Sequence, residues 1–318
     1  MSEFRLLSYD SKNREPRAGL LVRNHVFDLE MVLNEAGYNE PRQGHSVLSA
    51  LKSWDAIRPV IHSALSSLTP KSEGPVQTTG RPLEDVRLLA PVLYPGVLYC
   101  AGANYRDHIL EMTGNPPPAH YREPFFFLKT VAGTIIGPEQ EIRLPPFSSK
   151  VDWEAEIAMV IGRRARNVNA GEAMSYVAGF TIMNDLSARD LTKREDVPFI
   201  FDWIGQKCFD TAAPMGPWIT PTDAIPDVNN MDIKLWVNGD LKQDSGSGQL
   251  IFKFEEQIAY LSRHVTLNPG DVIASGTPAG CGMARNEFLK PGDHIRIAVS
   301  GLGELTNPVV SGGSGLPV

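Results

Sequence analysis

The sequence predicts an α+β fold that is mostly β, with a small α+β N-terminal domain before a larger, β-rich domain. Three observations support this prediction. Residues 4–30 fall into short strand-like runs that turn residues interrupt. Residues 47–67 have the apolar spacing of a helix. From Val86 onward, short apolar runs alternate with turn signals, and few segments are long enough to be helices.

A polar segment marks the predicted boundary between the two domains. Thr69 to Gly80 is rich in Pro, Gly, Ser and Thr and has no apolar periodicity, which is typical of a linker. We therefore expect an N-terminal domain over residues 1–70, a linker over 71–90 and a catalytic domain over 91–318. The length of 318 residues agrees, because it exceeds that of most single domains.

Turn signals locate several strands of the larger domain. Asp232 to Val237 precedes the Asn238-Gly239 pair, which favours a tight hairpin because both positions tolerate positive φ. Val272 to Ser275 and His294 to Val299 each follow a Pro-Gly pair. The spacing also predicts one amphipathic helix over Phe252 to Arg263. These patterns indicate a sandwich or a rolled sheet.

Charge and composition narrow the classes of function. The net charge is −7, and no cluster of Lys and Arg forms a basic stripe, which argues against a nucleic-acid partner. No run approaches the ~18 apolar residues of a membrane span, and the N-terminus lacks the apolar region of a secretory signal. The three widely spaced cysteines predict reduced thiols. We expect a cytoplasmic protein that binds a small molecule and neither nucleic acid nor membrane.

Carboxylates beside two apolar runs are the most informative feature. Glu154 and Glu156 lead into the apolar run Ile157 to Ile161, and side chains two residues apart on a strand share a face. Such acids repel each other unless a cation or a proton compensates them. Asp185 ends a second apolar run and offers a third oxygen, a set that suits Mg²⁺ or Mn²⁺. Asp152 shares the face of the glutamates, so periodicity leaves the choice of ligands open. A solvated acidic strand end is the alternative.

His108 and Glu111 are candidates for acid–base chemistry. If a short helix begins near Asp107, these two residues lie on one face of it, three positions apart. A carboxylate beside an imidazole fixes its tautomer and makes it a better general base. An ordinary surface pair is the alternative. Thr113 to Pro124 contains three consecutive prolines and cannot extend the helix, so it is predicted to be a mobile loop or lid.

Three cations and a turn complete the set of candidates. Lys129 ends an apolar run, where a surface lysine is an equally good interpretation. Lys207 lies in an apolar neighbourhood, where it could pair with the carboxylates or stabilise negative charge on a substrate. Arg189 could clamp a substrate carboxylate or pair locally with Asp190. The turn at Thr277 could hold a small anion. No GxSxG, Walker A or GxGxxG motif supports triad hydrolysis or nucleotide chemistry.

Taken in order, these elements resemble the fumarylacetoacetate hydrolase family. The likeness runs from about Tyr99 to Val309 through seven segments: CAGANYRDHILEM, FFFLK, KVDWEAEIAMVIG, IMNDLSARD, GQKCFDTAAPMGPW, LNPGDVIASGTPAG and FLKPGD. The resemblance implies a mixed β-roll catalytic domain, often with a smaller N-terminal domain, and a homodimer. It also implies one Mg²⁺ or Mn²⁺ per subunit.

The resemblance assigns roles to the candidate residues. It places the metal on Glu154, Glu156 and Asp185, and leaves Asp152 outside the ligand set. It makes His108 and Glu111 a water-activating dyad on a closing lid, and Lys207 the charge-stabilising lysine. The implied substrate contacts are Arg189, Lys129 and Thr277, and we also expect Gln206, the neighbour of Lys207, to contact the substrate.

Two departures from the family pattern concern the substrate tail. The family often has Gln where this chain has Thr192, and many relatives have a Ser-Asn-Thr segment where this chain has residues 245–248. Neither departure touches the implied metal ligands.

We therefore expect a metal-dependent hydrolase that cleaves a carbon–carbon bond in a 2,4-diketo acid resembling acylpyruvate. The products would be a 2-keto acid and a carboxylic acid, within the catabolism of aromatic or sugar acids. An oxaloacetate decarboxylase or a 2-hydroxymuconate-type isomerase with the same site is the alternative. A non-catalytic binding protein on this scaffold is a further alternative, but the intact His108–Glu111 pair argues against it.

Overall fold

The computed structural model describes residues 4–11, 15–38, 44–66, 68, 80–196 and 198–313. Strands dominate the described residues, and the helices between them are short. The strands are β1 (Arg5–Asp10), β2 (Pro16–Val22), β3 (His25–Asp28), β4 (Arg81–Pro82), β5 (Leu88–Leu89), β6 (Leu98–Gly102), β7 (Phe125–Lys129), β8 (Ile135–Ile136), β9 (Ile142–Leu144), β10 (Val151–Asp152), β11 (Ala155–Ile161), β12 (Val177–Asn184), β13 (Ser187–Ala188), β14 (Ala213–Pro221), β15 (Asp232–Val237), β16 (Asp240–Gly246), β17 (Val272–Ala274), β18 (His294–Val299) and β19 (Gly303–Ser311).

The α-helices are α1 (Leu29–Glu35), α2 (Val47–Lys52), α3 (Trp54–Ala64), α4 (Arg106–Thr113), α5 (Ala170–Ala173), α6 (Trp203–Lys207), α7 (Phe254–His264) and α8 (Gly282–Arg285). The predicted amphipathic helix is confirmed as α7, within two residues at its start. The helical stretch predicted over residues 47–67 is divided into α2 and α3, because Ser53 leaves the helical conformation (φ −122°, ψ 23°). None of the helices in the described part of the chain has the length and apolar character needed to cross a membrane.

The largest sheet joins the N-terminal strands to the rest of the molecule. Its main path runs β4-β3-β2-β1-β14-β12-β11-β17-β6-β7, and β5 and β8 pair at its sides with β1 and β14. Strand β1 reaches β14 through the antiparallel pair Leu6 and Ile219. In the predicted linker, residues 71–79 lie outside the described residues, and strands β4 and β5 belong to this sheet. The domain boundaries stay a prediction.

A second sheet covers one face of the first. It runs β16-β15-β18-β19-β9, and β15 and β16 form the predicted hairpin, with positive φ at Asn238 and Gly239. Strand β11 lies between two apolar cores: Ile157 and Met159 join the core beneath the second sheet, and Ala158 joins the core beneath the N-terminal elements. Burial on both faces explains the unbroken apolar sequence of β11. The fold is α+β and mostly β, as predicted, with mixed and open sheets.

Candidate active site

Two neighbouring strands bring the three predicted metal ligands together. Glu156 lies in β11, Glu154 immediately precedes that strand, and Asp185 follows β12. The backbone N–H of Asp185 donates a hydrogen bond to the carbonyl oxygen of Glu154 (2.9 Å), which fixes the two chain segments side by side. One carboxylate oxygen from each residue lies within 4.8 Å of the others, and all three side chains are buried. The two glutamate side chains lie close together, although Glu154 lies just outside β11 and only Glu156 belongs to that strand.

The charges within this cluster fit a divalent cation. Burial, followed by the negative charges of Asp185 and Glu154, raises the pKa of Glu156 well above its usual value. Burial would also raise the pKa of Glu154, but Lys207 and Arg189 lower it to about 2. A cation bound among buried carboxylates reduces their mutual repulsion. A set of oxygen donors without nitrogen or sulfur suits Mg²⁺ or Mn²⁺. The residues present therefore fit the implied metal.

Two buried lysines neutralise part of this negative charge. The Nζ atom of Lys207 donates hydrogen bonds to Glu154 Oε2 (2.9 Å) and Asp185 Oδ2 (2.7 Å). The Nζ atom of Lys129 donates to Asp185 Oδ1 (2.6 Å) and to the carbonyl oxygen of Leu186 (3.0 Å). Burial would lower the pKa of Lys207, but Asp185 and Glu154 raise it. Lys207 is therefore a fixed positive charge at neutral pH.

Asp152 anchors Arg189 at the edge of the cluster. Its carboxylate accepts hydrogen bonds from Arg189 Nε (2.9 Å) and from the backbone N–H groups of Gly282 (2.7 Å) and Met283 (3.0 Å). Arg189 in turn donates from Nη2 to Glu154 Oε1 (2.6 Å). Asp152 thus supports a ligand residue through Arg189, in agreement with its place outside the implied ligand set.

His108 and Glu111 lie on one face of α4, as predicted, but they are loosely joined. The distance from His108 Nδ1 to Glu111 Oε2 is 3.7 Å, longer than a hydrogen bond. Both oxygens of Glu111 accept from the backbone N–H of Gly280 (3.1 and 2.9 Å). Burial would raise the pKa of Glu111, but His108 and the Gly280 N–H lower it. The carboxylate is therefore anchored, whereas the Nδ1 atom of His108 is buried and makes no hydrogen bond among the described residues.

A small cavity of about 230 Å³ lies beside His108 on one side and Glu154 and Lys207 on the other. Its lining includes six of the predicted site residues, namely His108, Glu154, Arg189, Gln206, Lys207 and Thr277. Gln206 is buried, and its Oε1 atom makes no hydrogen bond among the described residues. Lys129 lies behind Asp185 and does not belong to the lining, so its substrate contact stays a prediction. The closing motion of the lid stays a prediction as well.

Sequence reasoning missed Gln243, which supports the same cavity from β16. This fully buried side chain accepts from the backbone N–H of Ala155 (2.9 Å) and donates to Thr277 Oγ1 (2.9 Å) and to the carbonyl oxygen of Pro278 (2.9 Å). It also fixes the turn that presents Gly280, where positive φ (+103°) and the closeness of the backbone of Lys242 and Gln243 leave no room for a Cβ atom. The available signal was a polar residue opposite Leu235, at an inward-facing position of the predicted hairpin.

Comparison with known proteins places the chain in a family. Residues 97–310 match the sequence profile described as fumarylacetoacetate (FAA) hydrolase, C-terminal. The chain belongs to the fumarylacetoacetate hydrolase family. A relative within the family, the protein named oxaloacetate tautomerase fahd2, mitochondrial, of Xenopus laevis, is 44% identical over 228 residues, which cover 71% of this chain and 69% of that protein.

Solved structures of the fumarylacetoacetate hydrolase family share the fold. Maleylpyruvate hydrolase of Sphingobium sp. SYK-6, in complex with manganese(II) and pyruvate, is 29% identical with a TM-score of 0.73, covering 97% of this chain and 100% of that chain. The 2-hydroxyhepta-2,4-diene-1,7-dioate isomerase of Mycobacterium marinum is 31% identical with a TM-score of 0.67, covering 98% and 100%. The relatives include hydrolases, isomerases and tautomerases. The chain is therefore an enzyme of this family with a candidate divalent-metal site.

Proposed function

We propose that the enzyme acts on small 2-keto dicarboxylic acids and that its main reaction interconverts the keto and enol forms of an oxaloacetate-like acid. The small volume of the cavity and the charged side chains around it support this proposal. Its volume of about 230 Å³ is below the roughly 300–1,000 Å³ of most ligand pockets. A four-carbon acid suits this space better than a substrate with a long tail. The name of the Xenopus laevis relative, at 44% identity, supports the same substrate class.

The side chains around the cavity match the needs of an enolisation. Glu154, Glu156 and Asp185 would hold Mg²⁺ or Mn²⁺, which when bound supplies Lewis-acid polarisation of a carbonyl group. His108 takes a proton from the carbon next to the keto group, and the electron pair of that C–H bond becomes the enolate. Lys207 stabilises the negative charge that appears on oxygen. Return of the proton from His108 to that oxygen completes the enol.

Hydrolysis of an acylpyruvate-like 2,4-diketo acid, the reaction expected from the sequence, is the second candidate. It is favoured by the position of His108 on the cavity and by Glu111 beside it, and the Sphingobium maleylpyruvate hydrolase has the same fold. His108 would take a proton from water, and the hydroxide would add to the distal carbonyl carbon. The carbon–carbon bond then breaks, and its electron pair passes to the leaving enolate, which is protonated to the 2-keto acid. Oxaloacetate decarboxylation and hydroxymuconate isomerisation would use the same charged groups to stabilise an enolate.

A product-resolved assay of the enzyme loaded with Mg²⁺ or Mn²⁺ separates these reactions. Tautomerisation is followed by the ultraviolet absorbance of the oxaloacetate enol, decarboxylation by release of carbon dioxide, and hydrolysis by release of a carboxylic acid from acylpyruvates. We expect the highest kcat/KM for tautomerisation. A higher kcat/KM for an acylpyruvate would establish the hydrolase instead. The homodimer and the cytoplasmic location stay predictions, and light scattering of the purified enzyme tests the first of them.

A further inference from the structure

Trp203 forms part of the wall of the cavity. It is the first residue of α6, and Lys207 is the last. Residues four apart on a helix lie on the same face, about one turn or roughly 5–6 Å from each other. Both side chains line the cavity. Because the Lys207 ammonium contacts Glu154 and Asp185, Lys207 marks the inner end of the cavity, and Trp203 lies one turn farther from the carboxylates.

Neighbouring rings hold the indole of Trp203 in place. The ring of Phe127 stacks on one side, with centroids 5.0 Å apart and planes at 9°. The ring of Phe201 also stacks with the indole, at 6.0 Å and 13°, and Phe125 contacts it at a tilt, at 5.6 Å and 45°. Phe127 is itself buried on the sheet, with the Lys207 Nζ atom 4.8 Å from its centroid. The indole cannot swing away without separating from these aromatic contacts.

The surroundings of Trp203 are apolar on the solvent side. Phe201 is 55% exposed and Ile204 is 66% exposed, so the surface next to the indole carries apolar side chains. On the cavity side, the hydroxyl group of Thr192 already donates to the carbonyl oxygen of Arg189 (2.9 Å). A substrate tail that extended past Trp203 would meet the exposed apolar side chains of Phe201 and Ile204, and the nearby Asp202 carboxylate is already paired with Arg194.

We propose that Trp203 determines the chain length of the substrate. Its fixed indole closes the cavity to tails longer than a short acid, and its removal would admit an apolar alkyl or aryl tail. This inference rests on the proposed function, because it assumes that a 2-keto acid lies with its keto-acid end at the carboxylate cluster.

Binding of N-alkyl oxamates, which resemble 2-keto acids but do not react, tests the inference without turnover. Isothermal titration calorimetry in the presence of Mn²⁺ compares N-methyl to N-hexyl oxamate on the wild type, Trp203→Ala and Trp203→Phe. We expect the wild-type affinity to fall as the tail lengthens. Trp203→Ala should bind N-hexyl oxamate at least tenfold more tightly than the wild type does, a change of roughly the size that pocket contacts with methylene groups produce. N-methyl oxamate should change by less than about threefold.

Ile204→Ala is the matched control, because Ile204 belongs to the same helix but does not line the cavity. It should keep the wild-type dependence on tail length, and Trp203→Phe should fall between the wild type and Trp203→Ala. Parallel profiles for the wild type, Trp203→Ala and Trp203→Phe would overturn the role of Trp203. Selection by tail length without turnover of oxaloacetate would support the role of Trp203 and reject the proposed reaction. Absence of oxamate binding to all variants would overturn the substrate class and the inference with it.

Discussion

The carboxylate cluster, through Glu154, and the helix α4, through His108, border the same cavity but are held in different ways. On the first side, buried ammonium groups contact Asp185 and Glu154 at 2.6–2.9 Å. On the second, the His108 side chain is 15% exposed and its Nδ1 atom lies 3.7 Å from Glu111. One side has its charged groups paired before substrate arrives, and the other has an imidazole nitrogen without a hydrogen-bond partner among the described residues.

This difference follows from what each side does in the proposed chemistry. Stabilising a developing charge requires groups that do not reorganise during the reaction. A general base must reach a proton on the substrate, and catalytic hydrogen bonds are often long until substrate binds. The carboxylate cluster with its lysines is therefore expected to set the affinity for the metal and for negative charge on the substrate. His108 is expected to set the rate of proton transfer. Four predictions test this division.

Removal of the metal should have the largest effect. Chelation should bring turnover below detection, and Mg²⁺ or Mn²⁺ should restore it, because three buried carboxylates then regain a cation. Glu156→Gln should weaken Mn²⁺ binding measured by calorimetry and lower activity, whereas the exposed Glu172→Gln should change neither. Full activity of the metal-stripped enzyme would contradict a role for the cluster in catalysis.

Replacement of His108 should affect rate and leave the cluster intact. His108→Ala should lower kcat by roughly 10²–10⁴-fold, the usual contribution of a positioned acid or base. Mn²⁺ affinity should stay near the wild-type value, because His108 is not one of the candidate ligands. Steady-state kinetics and calorimetry on the same preparation measure both, with the exposed His294→Ala as the control. Equal loss of metal affinity and rate would show that the two sides are not separable.

The two buried lysines form a matched pair that separates catalysis from stability. Lys207→Met and Lys129→Met each remove one positive charge from a buried cluster in which Asp185 keeps its other lysine, so each should lower the free energy of unfolding by up to about 3–5 kcal/mol in urea titrations. Lys207 lines the cavity and Lys129 does not. In the folded, metal-loaded proteins, Lys207→Met should lower kcat by roughly 10²–10³-fold, and Lys129→Met should affect it far less. Similar kcat values for the two variants would argue against charge stabilisation by Lys207.

The smallest effect is expected at Gln243, which reaches the dyad only through the turn that carries Thr277 and Gly280. Gln243→Ala should lower kcat by roughly tenfold, the low end for residues behind a catalytic group, with little change in KM. Gln257 is also buried and also donates to a backbone carbonyl, so Gln257→Ala is the matched control. A fall in thermal stability without a change in kcat would assign Gln243 a purely structural role.

The grouping of the candidate site residues could be predicted from the sequence where it depended on local pattern. Strand periodicity placed Glu154 and Glu156 side by side at the start of an apolar run, and Asp185 at the end of another. Helical spacing placed His108 near Glu111. Side chains two apart on a strand, or three apart on a helix, lie on one face in any fold. The prediction therefore required no knowledge of distant contacts. The resemblance then selected among the acids, which periodicity alone did not do.

Contacts between distant segments were not accessible in the same way. The structure pairs Asp152 with Arg189 because β10 and β13 lie side by side, and it sets Gln243 against Ala155 across 88 residues. The stack of Trp203 on Phe127 likewise joins a helix to a strand far away in sequence. Such pairs depend on strand register and on the packing of whole elements, which no local window contains.

The continuous sheet has a consequence for any shortened form of this protein. A chain that began near residue 91 would retain the candidate ligands but would lose β1, the partner of β14 at Ile219. The apolar side chains of Met215 and Ile219, which now pack in the core shared with the N-terminal elements, would lose that cover. An uncovered apolar strand edge is a template for aggregation. We therefore expect the N-terminal strands to protect this edge of the sheet from aggregation, and a truncated chain to be less soluble than the full chain.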